Sequence, residues 1–166
     1  MRGRLIRWLL PGTLVAVMSV GAAMAATTMM RSGSATVQTA KSSKYGTVLV
    51  SSRGRTLYRY ALDKKGVSAC TGACATFWPA LVLKGNAKPT AGAGVTASLL
   101  GTIKRVRGVE QVTYAGFPLY LYSGDRKPGD IKGEGFESKW YVLDTKGAMV
   151  KHAVGGKSGG KSGGWG

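Results

Sequence analysis

Apolar and aromatic residues alternate with polar ones in short stretches of this chain, and glycine-containing turns separate the stretches. Residues 45–50 are apolar and β-branched, residues 51–54 have turn composition, and residues 56–60 alternate again. This pattern predicts a β-hairpin. Because side chains alternate along a strand, we expect Tyr58 and Tyr60 to project from the same face of its second strand.

The same pattern returns at a constant spacing of 62 residues, without a gap. The aromatic and acidic residues of the first copy are Tyr58, Tyr60, Asp63 and Trp78, and those of the second copy are Tyr120, Tyr122, Asp125 and Trp140. Turn glycines follow the same spacing, since Gly54 matches Gly116 and Gly85 matches Gly147. A self-match of this kind indicates a duplicated supersecondary unit.

Short strands separated by turns predict an all-β fold, which we expect to be a small sandwich or barrel built from two pseudo-twofold-related repeats with one or two short helical turns. The helical turns are expected within residues 69–77 and 95–100, and Pro79 predicts an edge strand or an extended crossing. The strands of the second copy are predicted at 102–106, 111–114, 118–122 and 140–143.

The chain divides into four predicted regions. Residues 1–25 are interpreted as a secretory signal peptide, 26–44 as a flexible linker without apolar periodicity, 45–150 as the duplicated β-domain and 151–166 as a disordered basic Gly/Lys/Ser tail. Within the domain, repeat one covers about 45–85 and repeat two about 102–147. No membrane-spanning segment is expected once the signal has been removed.

The signal-peptide prediction depends on an Arg-rich start, a short apolar run and the small residues before Ala26. It predicts a secreted or periplasmic protein that is soluble after cleavage. The alternative is an uncleaved membrane anchor. Pro11 and the shortness of the apolar run disfavour that alternative, because a spanning helix needs about 20 apolar residues.

The formal net charge of +17 predicts attraction to anions. For an exported protein these anions are anionic lipid headgroups, lipopolysaccharide and cell-wall polymers, and no physiological nucleic acid partner is expected. The alternative is that the excess of Lys and Arg only maintains solubility.

Cys70 and Cys74 are the only cysteines. In an oxidising exported compartment a disulfide between them is the default expectation. Their spacing does not match a thioredoxin-like pair or a c-type haem attachment site.

The Tyr-x-Tyr-x-x-Asp units admit a structural and a functional interpretation. Paired aromatic residues on one strand face pack well across strands, and an Asp at the strand end can accept bonds from backbone amides of the following turn. We therefore interpret the motif as structural rather than as a site. A glycosidase-like pair of Asp63 and Asp125 would require a defined separation across a cleft, which no sequence pattern supplies.

These motifs together resemble the bacterial secreted repeat family of predicted lipoproteins known for a Tyr-x4-Asp motif. The residues that carry the resemblance run from Tyr45-Gly46 through the cysteine turn and Trp78-Pro79 to Trp140-Tyr141. The resemblance implies an exported envelope protein with tandem copies of this unit, and no molecular activity. Lipoproteins of this kind have a cysteine at the end of the signal, which this chain lacks, so we expect a soluble product.

No catalytic residue, metal site or cofactor is predicted. His152 and Met149 could ligate copper or haem iron only as an isolated pair, and no Ser/His/Asp set can be assembled. The first functional hypothesis is an exported non-enzymatic cell-envelope or periplasmic protein that binds anionic envelope components. The second is a redox accessory or electron-transfer module that binds a metal or haem.

Overall fold

The computed structural model describes residues 36–85 and 87–153. It contains seven short strands, one helix and three 3-10 turns. The strands are β1 (Val37–Ser42), β2 (Gly46–Ser51), β3 (Tyr58–Tyr60), β4 (Leu100–Lys104), β5 (Glu110–Tyr114), β6 (Phe117–Pro118) and β7 (Trp140–Val142). The helix is α1 (Ala73–Phe77), and the 3-10 turns are Ala97–Leu99, Val106–Gly108 and Phe136–Ser138.

The strands form three small antiparallel sheets that do not close into a barrel. The pairs are β1 with β2 and β3 with β7, and the third sheet has the order β4-β5-β6. The prediction of an all-β fold with two repeats is confirmed. The two predicted helical turns are α1 and Ala97–Leu99, and the structure adds the 3-10 turns Val106–Gly108 and Phe136–Ser138. No helix in the described part of the chain is long and apolar enough to cross a membrane.

The alternation of side chains along the hairpins creates two cores. Tyr58 and Tyr120 lie in an aromatic core, whereas their neighbours Leu57 and Leu119 lie in an aliphatic core, and all four side chains are fully buried. Tyr60 packs against the aromatic core from the same face as Tyr58. The aromatic faces of both repeats therefore meet in a single cluster.

The two repeats join at a short antiparallel bridge. The backbone N–H of Tyr58 donates to the carbonyl of Tyr120 over 2.9 Å, and the N–H of Tyr120 donates back to Tyr58 over 3.0 Å. These residues are equivalent by the 62-residue spacing. A pseudo-twofold axis between the repeats produces this arrangement, in which a residue pairs reciprocally with its own equivalent.

The closing segment of each repeat, which is extended residues 80–83 in repeat one and β7 in repeat two, pairs with the hairpin of the other repeat. In repeat one, the N–H of Leu81 donates to Leu119 over 2.9 Å, and the N–H of Val112 donates to Leu81 over 2.8 Å. In repeat two, β7 pairs with β3, and the N–H of Leu49 donates to Leu143 over 3.1 Å. Each repeat thus completes the sheet of its partner.

The predicted flexible linker is wrong over its second half. Residues 37–42 form strand β1, which pairs with β2 along its whole length, and Val37 is fully buried. The strand lacks an apolar alternation because its polar side chains are used within the fold: Gln38 Nε2 donates to the carbonyl of Ser51, and Thr39 Oγ1 to that of Ala93. The sequence predicted that the fold begins at Tyr45, but the first strand lies before that residue.

Three further boundaries can be compared with their predictions. The first strand of repeat two is Leu100–Lys104 rather than 102–106, because the 3-10 turn Ala97–Leu99 ends earlier than the predicted helix. Residues 80 and 82 form single bridges with Tyr120 and Gln111, in agreement with the extended crossing predicted from Pro79. The predicted signal peptide and residues 154–166 of the predicted tail lie outside the described residues.

The exchange of closing strands predicts that repeat one does not fold alone. A chain that ends at residue 85 keeps its hairpin but loses β7, and its own closing strand has no hairpin to pair with. We expect no cooperative thermal transition by circular dichroism, because a lone hairpin is marginally stable in water. A chain that ends at residue 153 is the control and should melt like the full chain. A cooperative transition in the shorter chain while it is monomeric by size-exclusion chromatography would show that the repeats are independent.

Candidate functional site

The Tyr-x-Tyr-x-x-Asp units of the two repeats bond to each other. Tyr58 Oη donates a hydrogen bond to Asp125 Oδ2 over 2.8 Å, and Tyr120 Oη donates to Asp63 Oδ2, also over 2.8 Å. Each tyrosine therefore takes its carboxylate from the other repeat. The hydrogen bonds cross the same pseudo-twofold axis as the backbone bridge between the tyrosines.

The second oxygen of each carboxylate fixes the loop that follows it. Asp63 Oδ1 accepts the N–H of Ala69 over 2.7 Å, and Asp125 Oδ1 accepts the N–H of Lys132 over 2.9 Å. Both carboxyl groups are buried, with 6% and 1% of the residue exposed. The phenol oxygens have further partners, since Tyr58 Oη accepts the N–H of Gly133 over 3.3 Å.

Burial sets the protonation of these four groups. It raises the pKa of Asp63 and of Asp125, and the amide and phenol hydrogen bonds that each carboxylate accepts oppose that rise. Burial also raises the pKa of Tyr58 and of Tyr120, and their acceptor carboxylates raise it further. The two phenols therefore remain protonated donors at physiological pH.

Four aromatic rings form a continuous stack beside the Tyr–Asp pairs. Trp78 and Trp140, which are equivalent residues, lie parallel with their ring centroids 3.8 Å apart and an interplanar angle of 1°. Tyr122 stacks on the outer face of Trp78 and Tyr60 on that of Trp140, each at 4.4 Å. The order Tyr60, Trp140, Trp78, Tyr122 alternates between the repeats.

The buried tyrosines contact this stack edge-on. The Tyr58 ring lies 5.3 Å from Trp78, and the Tyr120 ring lies 5.1 Å from Trp140, with interplanar angles of 78° and 89°. Edge-to-face contact is a favoured geometry for aromatic pairs. The structure thus brings all eight motif residues into one cluster, but the interpretation of the motif as structural rather than functional stays a prediction.

The predicted disulfide is present beside the cluster. Cys70 and Cys74 are bonded, with their Cα atoms 5.3 Å apart, and Cys70 is fully buried in the aromatic core. Its carbonyl accepts a hydrogen bond from Arg105 Nη2. The disulfide therefore closes the turn before α1 and holds it against the aromatic core.

The cluster has one accessible side, which the sequence did not predict. A groove of about 280 Å³ is lined by three rings of the stack, Tyr60, Trp78 and Trp140, together with Cys74, Phe77, Phe136 and Glu137. Phe77 and Phe136 are 60% and 41% exposed. Phe136 occupies the position in repeat two that Cys74 occupies in repeat one. This difference between the repeats was a sequence signal that could have pointed to the groove.

Glu134 is a second residue that sequence reasoning missed. Its Oε2 accepts a hydrogen bond from the N–H of Val142 over 2.6 Å, and this bond holds the loop that contains Glu134 against β7. Burial raises the pKa of Glu134 to about 7, while the hydrogen bond from Val142 and the charge of Lys44 oppose the rise. This carboxyl group therefore titrates close to neutral pH.

The described residues contain no group of three or more His, Cys, Asp or Glu side chains that could hold a metal ion. His152 is exposed at the end of the described chain. The two motif carboxylates are each occupied by a phenol and a backbone amide.

The duplicated hairpins and the reciprocal cluster define a tandem-repeat β-domain. A family model described as a secreted repeat of unknown function matches residues 39–82 and 101–144, which together make up more than half of the chain. The chain therefore belongs to this family of secreted repeats, and it carries two copies. Searches of curated proteins and of solved structures gave no match to this chain.

The reciprocal hydrogen bonds predict matched effects of removing either phenol oxygen. Tyr58→Phe and Tyr120→Phe each retain the ring but leave a buried carboxylate without one donor, so each should lower the free energy of unfolding by about 1–3 kcal/mol. Tyr60→Phe and Tyr122→Phe are the controls, because they remove a phenol oxygen from the same stack without breaking a Tyr–Asp bond. Urea denaturation measures all four. Unequal losses for Tyr58 and Tyr120 would contradict the reciprocal arrangement.

The raised pKa of Glu134 predicts a pH-dependent stability. A carboxyl group with a higher pKa in the folded state favours folding below its unfolded pKa, and that contribution is lost as pH rises through the folded pKa. The Glu134 contribution should therefore fall between about pH 4.5 and about 7. Glu134→Gln keeps an acceptor for Val142 and should flatten this part of the melting-temperature profile. An unchanged profile would show that Glu134 does not titrate there.

Proposed function

We propose that this protein is a non-enzymatic exported domain that binds anionic components of the cell envelope, such as anionic lipid, lipopolysaccharide or cell-wall polymer. In this proposal the Tyr–Asp motif holds the two repeats together and is not a reaction centre. Family membership supports the exported part of the proposal. The binding part is argued from the distribution of charge.

The observation that supports binding is the use of the acidic side chains. Only seven acidic residues are present against 24 basic ones. Five of the seven accept hydrogen bonds from backbone N–H groups within the fold, namely Asp63, Asp125, Asp130, Glu134 and Asp144. The acids therefore stabilise loops and turns more than they neutralise the neighbouring cations.

Ion pairing in the described part of the chain is correspondingly sparse. Its two ion pairs are Lys132 with the partly buried Asp130 at 3.7 Å and the exposed pair of Lys139 with Glu137 at 3.2 Å. Exposed pairs of this kind contribute little stability. A surface with so many unneutralised cations attracts polyanions over a distance set by the ionic strength.

A second candidate function is an electron-transfer or redox accessory module. The parallel contact between Trp78 and Trp140 favours it, because their centroids are only 3.8 Å apart in a buried stack that continues to a tyrosine on each side. The two candidates differ in whether a metal or chromophore accompanies the protein. Metal analysis and a visible spectrum of protein purified from its native host distinguish them.

The proposed function predicts salt-sensitive binding to anionic surfaces. The exported protein should sediment with vesicles containing phosphatidylglycerol at low salt and be released as salt is raised, because the screening length falls from about 30 Å at 0.01 M to about 3 Å at 1 M. Vesicles of phosphatidylcholine alone are the control and should not bind. Absence of binding at low salt, or binding that ignores salt, would refute the proposal.

A further inference from the structure

A cleft between the turn at Arg53 and residues 80–84 is basic on one side and aliphatic on the other. It has a volume of about 470 Å³, within the range usual for small-ligand sites. Arg53, Arg55 and Lys84 contribute its cations, and no acidic side chain lines it. Leu81, Leu83 and Leu121 contribute its aliphatic side.

One of the three cations is held in place by the fold. Arg55 Nη2 donates to the carbonyl of Tyr122 over 3.2 Å and also to the carbonyl of Asp125. The Arg55 side chain is only partly exposed, whereas Arg53 and Lys84 are exposed. Neither of these two takes part in the ion pairs of the described residues. A charge held by hydrogen bonds thus lies beside two exposed charges.

The second repeat provides an internal reference for this cleft. At the equivalent positions Arg53 becomes Ala115, Arg55 becomes Phe117 and the cleft residue Val82 becomes Asp144. The guanidinium of Arg59, which is equivalent to Leu121, lies over the Phe117 ring at 3.1 Å.

The comparison separates what the fold requires from what the cleft adds. The Tyr–Asp hydrogen bonds and the tryptophan stack are present in both repeats, whereas the three-cation cleft is present only in repeat one. The hairpin and its closing segment form in repeat two with Ala115 and Phe117 in place of the two arginines, whereas Lys84 has a basic counterpart in Lys146. The two arginines at this place are therefore not required by the architecture.

We infer that this cleft is a binding site for a phosphate group that carries a short aliphatic or polyol chain, such as a glycerophosphate. The inference rests on the proposed function and identifies the place and the chemistry of its specific contact. Arg and Lys side chains bind phosphate oxygens through charge-assisted hydrogen bonds, and arginine can do so in a bidentate manner. The exposed Ser52 hydroxyl offers a further donor, and the leucines offer a surface for the carbon chain.

The test uses the exported protein with Arg53→Ala and Lys84→Ala combined. Binding to phosphatidylglycerol vesicles at low salt should weaken by about tenfold or more, because two charge-assisted contacts are lost. Both side chains are exposed, so the melting temperature should stay unchanged. That measurement separates a loss of binding from a loss of fold.

The matched control removes two exposed lysines that do not line the cleft, Lys65→Ala with Lys146→Ala. Lys146 is the equivalent of Lys84 in repeat two, and Lys65 lies in repeat one outside the cleft. The control removes the same charge and should retain vesicle binding within about twofold, since it leaves the cleft intact. Equal weakening of both double variants would overturn the cleft while leaving the proposed function standing. Absence of binding by the unmodified protein would overturn both.

Two soluble probes distinguish the sources of the phosphate. Glycerol 1-phosphate should shift the backbone amide resonances of Ser52, Arg53 and Lys84 and compete with vesicles. Inorganic phosphate should shift the same resonances more weakly, because it lacks the carbon chain that the leucines contact. Amide shifts spread over the whole basic surface, without a maximum at the cleft, would contradict the inference.

Discussion

The fold depends on one reciprocal interaction, in which a buried tyrosine of each repeat donates a hydrogen bond to a buried aspartate of the other. A buried carboxylate is costly unless its oxygens are bonded, and here one oxygen takes the phenol while the other takes a loop amide. Either repeat alone would leave its phenol without its carboxylate acceptor and its carboxylate with the loop amide but without the phenol. The polar pairs therefore specify the assembly of the halves, and the stacked tryptophans between them supply apolar contact.

The same use of acidic groups connects the core to the surface. Most acids of the chain are occupied by backbone N–H groups, so loops rich in Gly and Lys acquire fixed shapes without neutralising their cations. The acidic side chains thus stabilise the loops and at the same time leave the basic side chains of the surface unneutralised. The cleft lined by Arg53, Arg55 and Lys84 lies on this basic surface, at a place where the sequences of the two repeats differ. Arg55 is held there by hydrogen bonds to the carbonyls of Tyr122 and Asp125.

Much of the architecture could be predicted because the repeat spacing and the alternation of Tyr and Leu are local signals. Strand β1 could not be predicted, because its residues do not alternate between apolar and polar. Its position depends on pairing with β2 and on the hydrogen bonds of Gln38 and Thr39. The 62-residue spacing shows which residues are equivalent but not that each bonds to the other copy. The cleft was also missed, because Arg55 and Lys84 are far apart in sequence and only folding brings them together.

The exchange of closing segments makes two repeats the smallest self-contained unit of this chain. One unit leaves an edge of its hairpin unpaired, and the second unit covers that edge. A tandem array that followed the same rule would be closed only when its copy number is even. An odd copy would present an open hairpin edge, and one odd copy from another chain would complete it. In such an array, the number of repeats would decide between a self-contained monomer and a dimer.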